Sequence, residues 1–281
     1  MQNSNDLLKH ALKHKYAIPQ FNINNLEWTK YILEECNINK SPVILGVTES
    51  TIKYMGGYNI VANIVKSLIE DLNITIPVVL HLDHGTSVES CIKAINASFT
   101  SVMIDASNYE LSKNIEITKK VDYAHKYNVS VEAEIGNIGG TEDNINCKNN
   151  CATKQDSVSL IKNTNVDSLA PAIGNMHGIY KVKPNLNFKT IKEISEETNL
   201  PLVLHGSSNL TDEDIKKSIE CGICKININT DLQIVWSKAV RQYLEKNKNA
   251  YDPRKIISSG EFNIKKYIKD KLQLLGNSNR L

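Results

Sequence analysis

Apolar runs of strand length alternate with amphipathic stretches from one end of the chain to the other. The runs fall at 17–22, 42–47, 77–82, 101–104, 130–135, 168–173, 200–204 and 224–228. Between them apolar residues recur at helical spacing, as over 27–36, 60–72, 88–97, 115–127 and 191–198. The alternation predicts a parallel α/β fold, because a strand reaches a parallel neighbour only through a crossover helix. Eight such units close on themselves and leave no sheet edge to cover. The expectation is a (β/α)8 TIM barrel forming a single domain over 1–281, since such barrels typically run to about 250 residues.

Local signals refine this picture. Thr211 before Asp212-Glu213-Asp214 has the form of a capped helix start. Tyr251-Asp252-Pro253-Arg254 breaks the last unit, and an amphipathic helix near 263–275 is expected to pack back as a C-terminal extension. The one long irregular stretch, 139–154, opens on Gly139-Gly140 and carries Glu142 and Asp143. A loop of that length in a compact domain suggests an active-site lid.

Composition narrows the function classes. Lys+Arg 33 against Asp+Glu 31 gives a net charge of +2 without a basic stripe, so nucleic acid is not an expected partner. No apolar run approaches the roughly 20 residues of a membrane span, and Met1-Gln2-Asn3-Ser4-Asn5-Asp6 lacks the features of a signal peptide. A cytoplasmic location follows as the expectation. Six cysteines in 281 residues do not make a disulfide framework, and Cys221-Gly222-Ile223-Cys224 has no second half to complete a zinc site.

Three histidines stand out. His84, His177 and His205 each follow an apolar run and each precede a glycine. A barrel gathers the C-terminal ends of its strands into one ring, where catalytic groups converge. Three imidazoles with a fourth position open make a catalytic zinc site, and Asp83 beside His84 supplies a proton carrier. Asp105 and Glu134 end the fourth and fifth strands, where they either hold a second cation or pair with neighbouring donors. Gly206-Ser207-Ser208 and Asn227-Ile228-Asn229-Thr230 follow the seventh and eighth strands, the usual phosphate corner of such barrels. His10, His14, His81 and His125 lack the strand-end setting.

These segments together resemble the class II fructose-bisphosphate aldolases over nearly the whole chain. The likeness is carried by Gln20-Phe21-Asn22-Ile23-Asn24-Asn25, Tyr54-Met55-Gly56-Gly57, His81-Leu82-Asp83-His84-Gly85, Met103-Ile104-Asp105-Ala106-Ser107 and Val131-Glu132-Ala133-Glu134-Ile135-Gly136. It continues in His177-Gly178-Ile179-Tyr180-Lys181, Leu204-His205-Gly206, Lys225-Ile226-Asn227-Ile228-Asn229-Thr230-Asp231 and Asp252-Pro253-Arg254-Lys255. The resemblance implies Zn2+ on His84, His177 and His205, with Asp105 and Glu134 at a second divalent site and a monovalent cation as a further possible ligand. It implies Asp83 as the acid/base at the C4 hydroxyl and Glu142 at the C1 proton of dihydroxyacetone phosphate. Gly178, Lys181, Gly206, Ser207, Ser208, Asn227, Ile228, Asn229 and Thr230 match the dihydroxyacetone-phosphate site. Thr48 matches a serine that contacts glyceraldehyde 3-phosphate, and Arg254 an arginine that reaches the distal phosphate, in some members from a neighbouring subunit. A homodimer or homotetramer acting on a sugar bisphosphate is implied.

The departures concern the phosphate corner and its surroundings. Gly206-Ser207-Ser208-Asn209 replaces a Gly-Gly-Ser/Thr-Gly turn, which places Ser207 where a positive-φ glycine is expected. Thr141 stands where a second acid or glutamine is common, and Ser259-Gly260-Glu261 replaces Pro-Ala-Arg. Tagatose-bisphosphate and 6-phospho-5-dehydro-2-deoxy-D-gluconate aldolases share the same site pattern. A non-catalytic metal-stabilised scaffold or surface adhesin is the reading from another class, and intact Asp83 and Glu142 weigh against it.

Overall fold

Eight strands close into a parallel barrel in this computed structural model. The structure describes residues 1–281 except 143–144, 148–150, 179–183, 209 and 281, with the backbone alone for 140–142 and 145–147. In chain order the strands are β1 (Ile18–Asn22), β2 (Val43–Thr48), β3 (Val78–Gly85), β4 (Ser101–Ile104), β5 (Ser130–Ile135), β6 (Gly139–Glu142), β7 (Ile145–Cys147), β8 (Ser168–Pro171), β9 (Met176–His177), β10 (Leu202–Leu204) and β11 (Ile223–Ile228). The barrel runs β1-β11-β10-β8-β5-β4-β3-β2 and closes where β1 pairs with β2. The remaining strands form a small sheet in the order β7-β6-β9.

Alternation along each strand sorts the side chains into two layers. Val43, Leu45, Val78, Leu80, Val102 and Val131 point outward and join Ile32, Leu33, Val61 and Val65 of the helical ring in one apolar core. Ile18, Ile44 and Val79 point inward at the N-terminal end of the lumen, and Cys224 joins their cluster where the pairing of β10 with β11 slips past it. Leu8, Ala11 and Tyr16 close that end from a helix, Asn5–His14, and the turn after it. This helix lies outside the elements expected from the sequence, although Leu8, Ala11 and Leu12 carry its periodicity.

The expected C-terminal extension is present as Glu261–Leu274, which seats Ile264, Ile268 and Leu272 with no exposure. Two expectations need correction. The stretch 115–127 is an α-helix, Leu111–Lys119, followed by a tight 3-10 segment, Asp122–Tyr127, where His125 is pinned by Asp122 at 3.0 Å and Asp167 at 2.8 Å. The region from 139 is not wholly irregular: β6 and β7 form an antiparallel hairpin, and β6 runs parallel to β9 with Gly140 opposite His177.

Candidate metal centre and anion cradle

The C-terminal end of β3 shows how two neighbouring side chains reach one mouth. Strict alternation would send Asp83 and His84 to opposite faces. Pairing between β3 and β4 slips between Leu82 and Gly85, and His84 takes a left-handed φ of 49°. Such a bulge re-aims a side chain, so Asp83 stays in the lumen while His84 turns in above it. Gly85 completes the device, because a Cβ there would lie 2.5 Å from the Met103 carbonyl.

His84, His177, His205 and Glu134 converge, with one ligand atom from each within 4.8 Å of all the others. The His205 Nδ1 to His84 Nε2 distance is 3.1 Å. Donors bound to one zinc at about 2.0–2.2 Å lie at most about 4.4 Å apart, so small side-chain rotations bring the four to a single ion. His84 and His205 come from β3 and the end of β10. His177 comes from β9, outside the barrel wall, rather than from the end of a barrel strand. Its loop is tied down by buried Asn175, which accepts from Ile173 N and donates to the His205 carbonyl, both at 2.8 Å.

Carboxylates surround the imidazoles. Asp105 Oδ2 lies 3.0 Å from His84 Nδ1, and Ser107 donates to Asp105 Oδ1 at 2.7 Å. Glu132 Oε1 lies 3.1 Å from His205 Nε2. Among the described residues Glu134 Oε2 is buried with no hydrogen-bond partner, and it lies 3.6 Å from His205 Nδ1. Burial alone would lower the His84 pKa, but the bond to Asp105 and the charges of Asp83, Asp105 and Glu134 outweigh it and hold it well above the usual value. Burial, then the Asp105 charge, raises Glu134 well above the carboxylate range. A centre this rich in buried acids calls for a cation, and three imidazoles with a carboxylate are donors zinc accepts. The two acids expected at a second site thus stand at His84 Nδ1 and inside the four-donor group itself.

Asp83 is buried beside these donors. Its Oδ2 accepts from Asn22 Nδ2 at 3.0 Å and its Oδ1 from Asn227 Nδ2 at 3.3 Å. Thr48 lies opposite it across the β2–β3 pair and caps the next helix, accepting from Thr51 N.

Gly178, Gly206, Ser207, Ser208, Asn227, Asn229 and Thr230 line one concavity with His177. Gly206 has φ 59°, and a Cβ there would lie 2.1 Å from the Met176 carbonyl, so only glycine fits. Ser207 does not take a positive φ. The expectation that it occupies a glycine-only position is corrected: among the described residues of the turn the left-handed one is Gly206, and the Ser207 hydroxyl donates to the Asn227 carbonyl at 2.6 Å. That bond joins the two turns that form the cradle. Helix Thr230–Lys246 starts at its floor, where backbone N–H groups favour an anion.

Three expected residues stand apart from this geometry. Arg254 is exposed and held by Asp252 through Nε at 3.1 Å and a terminal nitrogen at 2.9 Å. Glu142 ends β6, next to the strand of His177, and only its backbone is described. Lys181 and Asn209 lie outside the described residues.

Sequence reasoning gave no role to Asn22, Glu132, Asn175, His81 or Lys225. A signal existed for two of them, since Glu132 and Glu134 share the inward face of β5 at period two, as Lys225 and Asn227 do on β11. His81 is buried, with Nδ1 2.7 Å from Ser101 Oγ, and burial with the nearby Lys225 lowers its pKa to about 3.

A family model described as fructose-bisphosphate aldolase class-II matches residues 2–280. The fructose-bisphosphate aldolase of Geobacillus stearothermophilus is 50% identical over 277 residues, covering 98% of this chain and 96% of that one. The probable fructose-bisphosphate aldolase of Bacillus subtilis (strain 168) is 48% identical, covering 98% and 97%. Among solved structures, the YdjI aldolase from Escherichia coli K12 superposes with a TM-score of 0.86 at 30% identity, covering 99% of this chain and 98% of that one.

Proposed function

Because the chain belongs to the class II fructose-bisphosphate aldolase family, we propose that the convergent histidines and Asp83 carry the chemistry of that family here. The protein is a carbon–carbon lyase, reversibly cleaving fructose 1,6-bisphosphate to dihydroxyacetone phosphate and glyceraldehyde 3-phosphate. The observation that carries the assignment of residues is the meeting of His84, His177, His205 and Glu134 beside buried Asp83.

His84, His177 and His205 hold the zinc. When bound, it supplies Lewis acidity toward the carbonyl and hydroxyl oxygens of the ketone half. Asp105 and Glu134, which both approach His84 Nδ1, at 3.0 and 4.0 Å, are the pair for a second divalent ion. Asp83 takes the C4 hydroxyl proton as the C3–C4 bond breaks, and two asparagine amides hold its carboxylate in place for that transfer. Glu142, on the strand beside His177, exchanges the C1 proton of the ketone product. The cradle of Gly178, Gly206 to Ser208 and Asn227 to Thr230, with Lys181, binds the phosphate of that product through backbone N–H groups and hydroxyls. Thr48 faces the aldehyde half. Arg254 binds the distal phosphate of a neighbouring subunit's substrate in a homodimer or homotetramer, which accords with its exposure here.

We further assign the enzyme to the cytoplasm as one catalytic domain over 1–281. Among the described residues, no helix is long and apolar enough to cross a membrane.

A screen of ketose bisphosphates by kcat/KM tests the substrate, since specificity is that ratio. Fructose 1,6-bisphosphate is expected to lead. A higher value for tagatose 1,6-bisphosphate, or for the phosphorylated deoxyketogluconate, would move the assignment within the family.

A further inference from the structure

Behind the metal centre, the middle of the barrel lumen holds a buried charge pair that the chemistry above does not use. Lys225 on β11 is 1% exposed, and its Nζ lies 2.7 Å from Glu132 Oε2 and 3.5 Å from His81 Nε2. β5 and β11 are separated in the wall by β8 and β10, so this contact spans the lumen. Ser168 Oγ donates to the same Glu132 oxygen at 3.3 Å. The other oxygen, Oε1, faces His205 Nε2 at 3.1 Å, and the His205 ring is fully buried.

A buried ion pair is weak grounds for a stabilising role, because apolar residues of similar volume often serve as well or better. A Schiff-base role for Lys225 is equally unsupported, since its amine is sealed from the mouth and committed to Glu132. What the pair does fix is an acceptor. A carboxylate has no proton to offer, so His205 must place its own on Nε2, and the lone pair then sits on Nδ1, toward His84.

We propose that Lys225 and Glu132 act together as positioning residues for the metal centre: Lys225 anchors the Glu132 carboxylate across the lumen, and Glu132 holds His205 in the tautomer and orientation that aim Nδ1 at the ion. This rests on the reading of His84, His177 and His205 as zinc ligands. The arrangement mirrors Asp105 at His84, where the opposite ring nitrogen, Nδ1, meets the acid and Nε2 faces the centre. Two of the three ligands, His84 and His205, are thereby each set from behind by a carboxylate, the kind of support whose loss typically lowers metal affinity about 10–100-fold.

Two measurements test it. Nitrogen-15 NMR of the zinc-free native protein reports the His205 tautomer, expected to be protonated at Nε2; protonation at Nδ1 overturns the proposal. The paired variant Lys225→Met/Glu132→Met removes both charges and the acceptor. Zinc affinity, read by competition with a chromogenic chelator, is expected to fall about 10–100-fold while cooperative unfolding persists. Native-like zinc affinity in the folded variant would reduce the pair to packing. If the variant does not fold, the native tautomer decides alone. Native protein that binds no zinc at these histidines would fail the metal reading itself, and this inference with it.

Discussion

The two ends of the barrel lumen are built from opposite materials. At the N-terminal end, Ile18, Ile44, Val79 and Cys224 meet Leu8, Ala11 and Tyr16 in a dry plug. Two residues further along β3, Val79 gives way to His81 and then Asp83, and two further along β5, Glu132 gives way to Glu134. From there to the mouth most inward positions are polar, with Met103, Ala170 and Val203 among the apolar ones. The plug gains from burying apolar area, roughly 25 cal/mol per Å2. The upper lumen spends that advantage on buried acids and imidazoles, which are costly there unless paired with one another, with Lys225 or with a bound cation. Stability and chemistry thus occupy successive layers of the same strands.

The largest expected effect falls at the top. Asp83→Ala is expected to bind zinc and fold normally while cleavage drops by about 10²–10⁴-fold, the range of general acid–base catalysis. Near-normal turnover in that variant would remove Asp83 from the chemistry. At the other end, Leu8→Ala opens a cavity in the plug and should cost about 2–5 kcal/mol of stability, with kcat/KM unchanged at temperatures where the protein stays folded. A comparable loss of activity would show that the two layers are not separable.

His81 lies at the boundary and gives a pH signature. Burial and Lys225 depress its pKa to about 3, against about 6.5 in an unfolded chain. The unfolded state therefore binds the extra proton between these values, so the stability tied to neutral His81 is fully present above pH ~6.5 and falls as pH drops toward 3. Between pH 7 and 5 this one group should cost about 2 kcal/mol. Denaturant midpoints of the native protein and His81→Gln at those two pH values check it: the variant should lose less on acidification. Parallel losses would mean that His81 is protonated in the fold.

The smallest effect expected is at the cradle. Ser207→Ala removes the hydroxyl that donates to the Asn227 carbonyl, an interaction worth about 1 kcal/mol. A severalfold rise in KM with kcat nearly kept is the expected outcome; a selective fall in kcat would point to a role for the serine in the reaction itself.

The repeating pattern of apolar runs made the barrel legible, because eight strand-length segments separated by helical ones admit few other closures. The convergent histidines were legible as residues after apolar runs and before glycine, although His177 rides on β9 of the small sheet. What sequence order concealed was pairing across the lumen. Nothing local to Glu132 announces that Lys225, far along the chain, will meet it, or that its other oxygen will face His205. The slip that turns both Asp83 and His84 inward was equally hidden, since a left-handed φ at a histidine has no compositional sign. At Ser207 the expectation fails because, among the described residues of the turn, the left-handed one is Gly206, which the sequence pattern alone does not distinguish.

The central claim is that a metal held by His84, His177 and His205 drives cleavage from this mouth. Fructose 1,6-bisphosphate cleavage, followed by triose phosphate release before and after EDTA and with zinc or cobalt restored, tests it most directly. Activity lost to the chelator and recovered on adding metal is the expected outcome. Full activity in protein shown by metal analysis to be free of zinc and other divalent ions would contradict it.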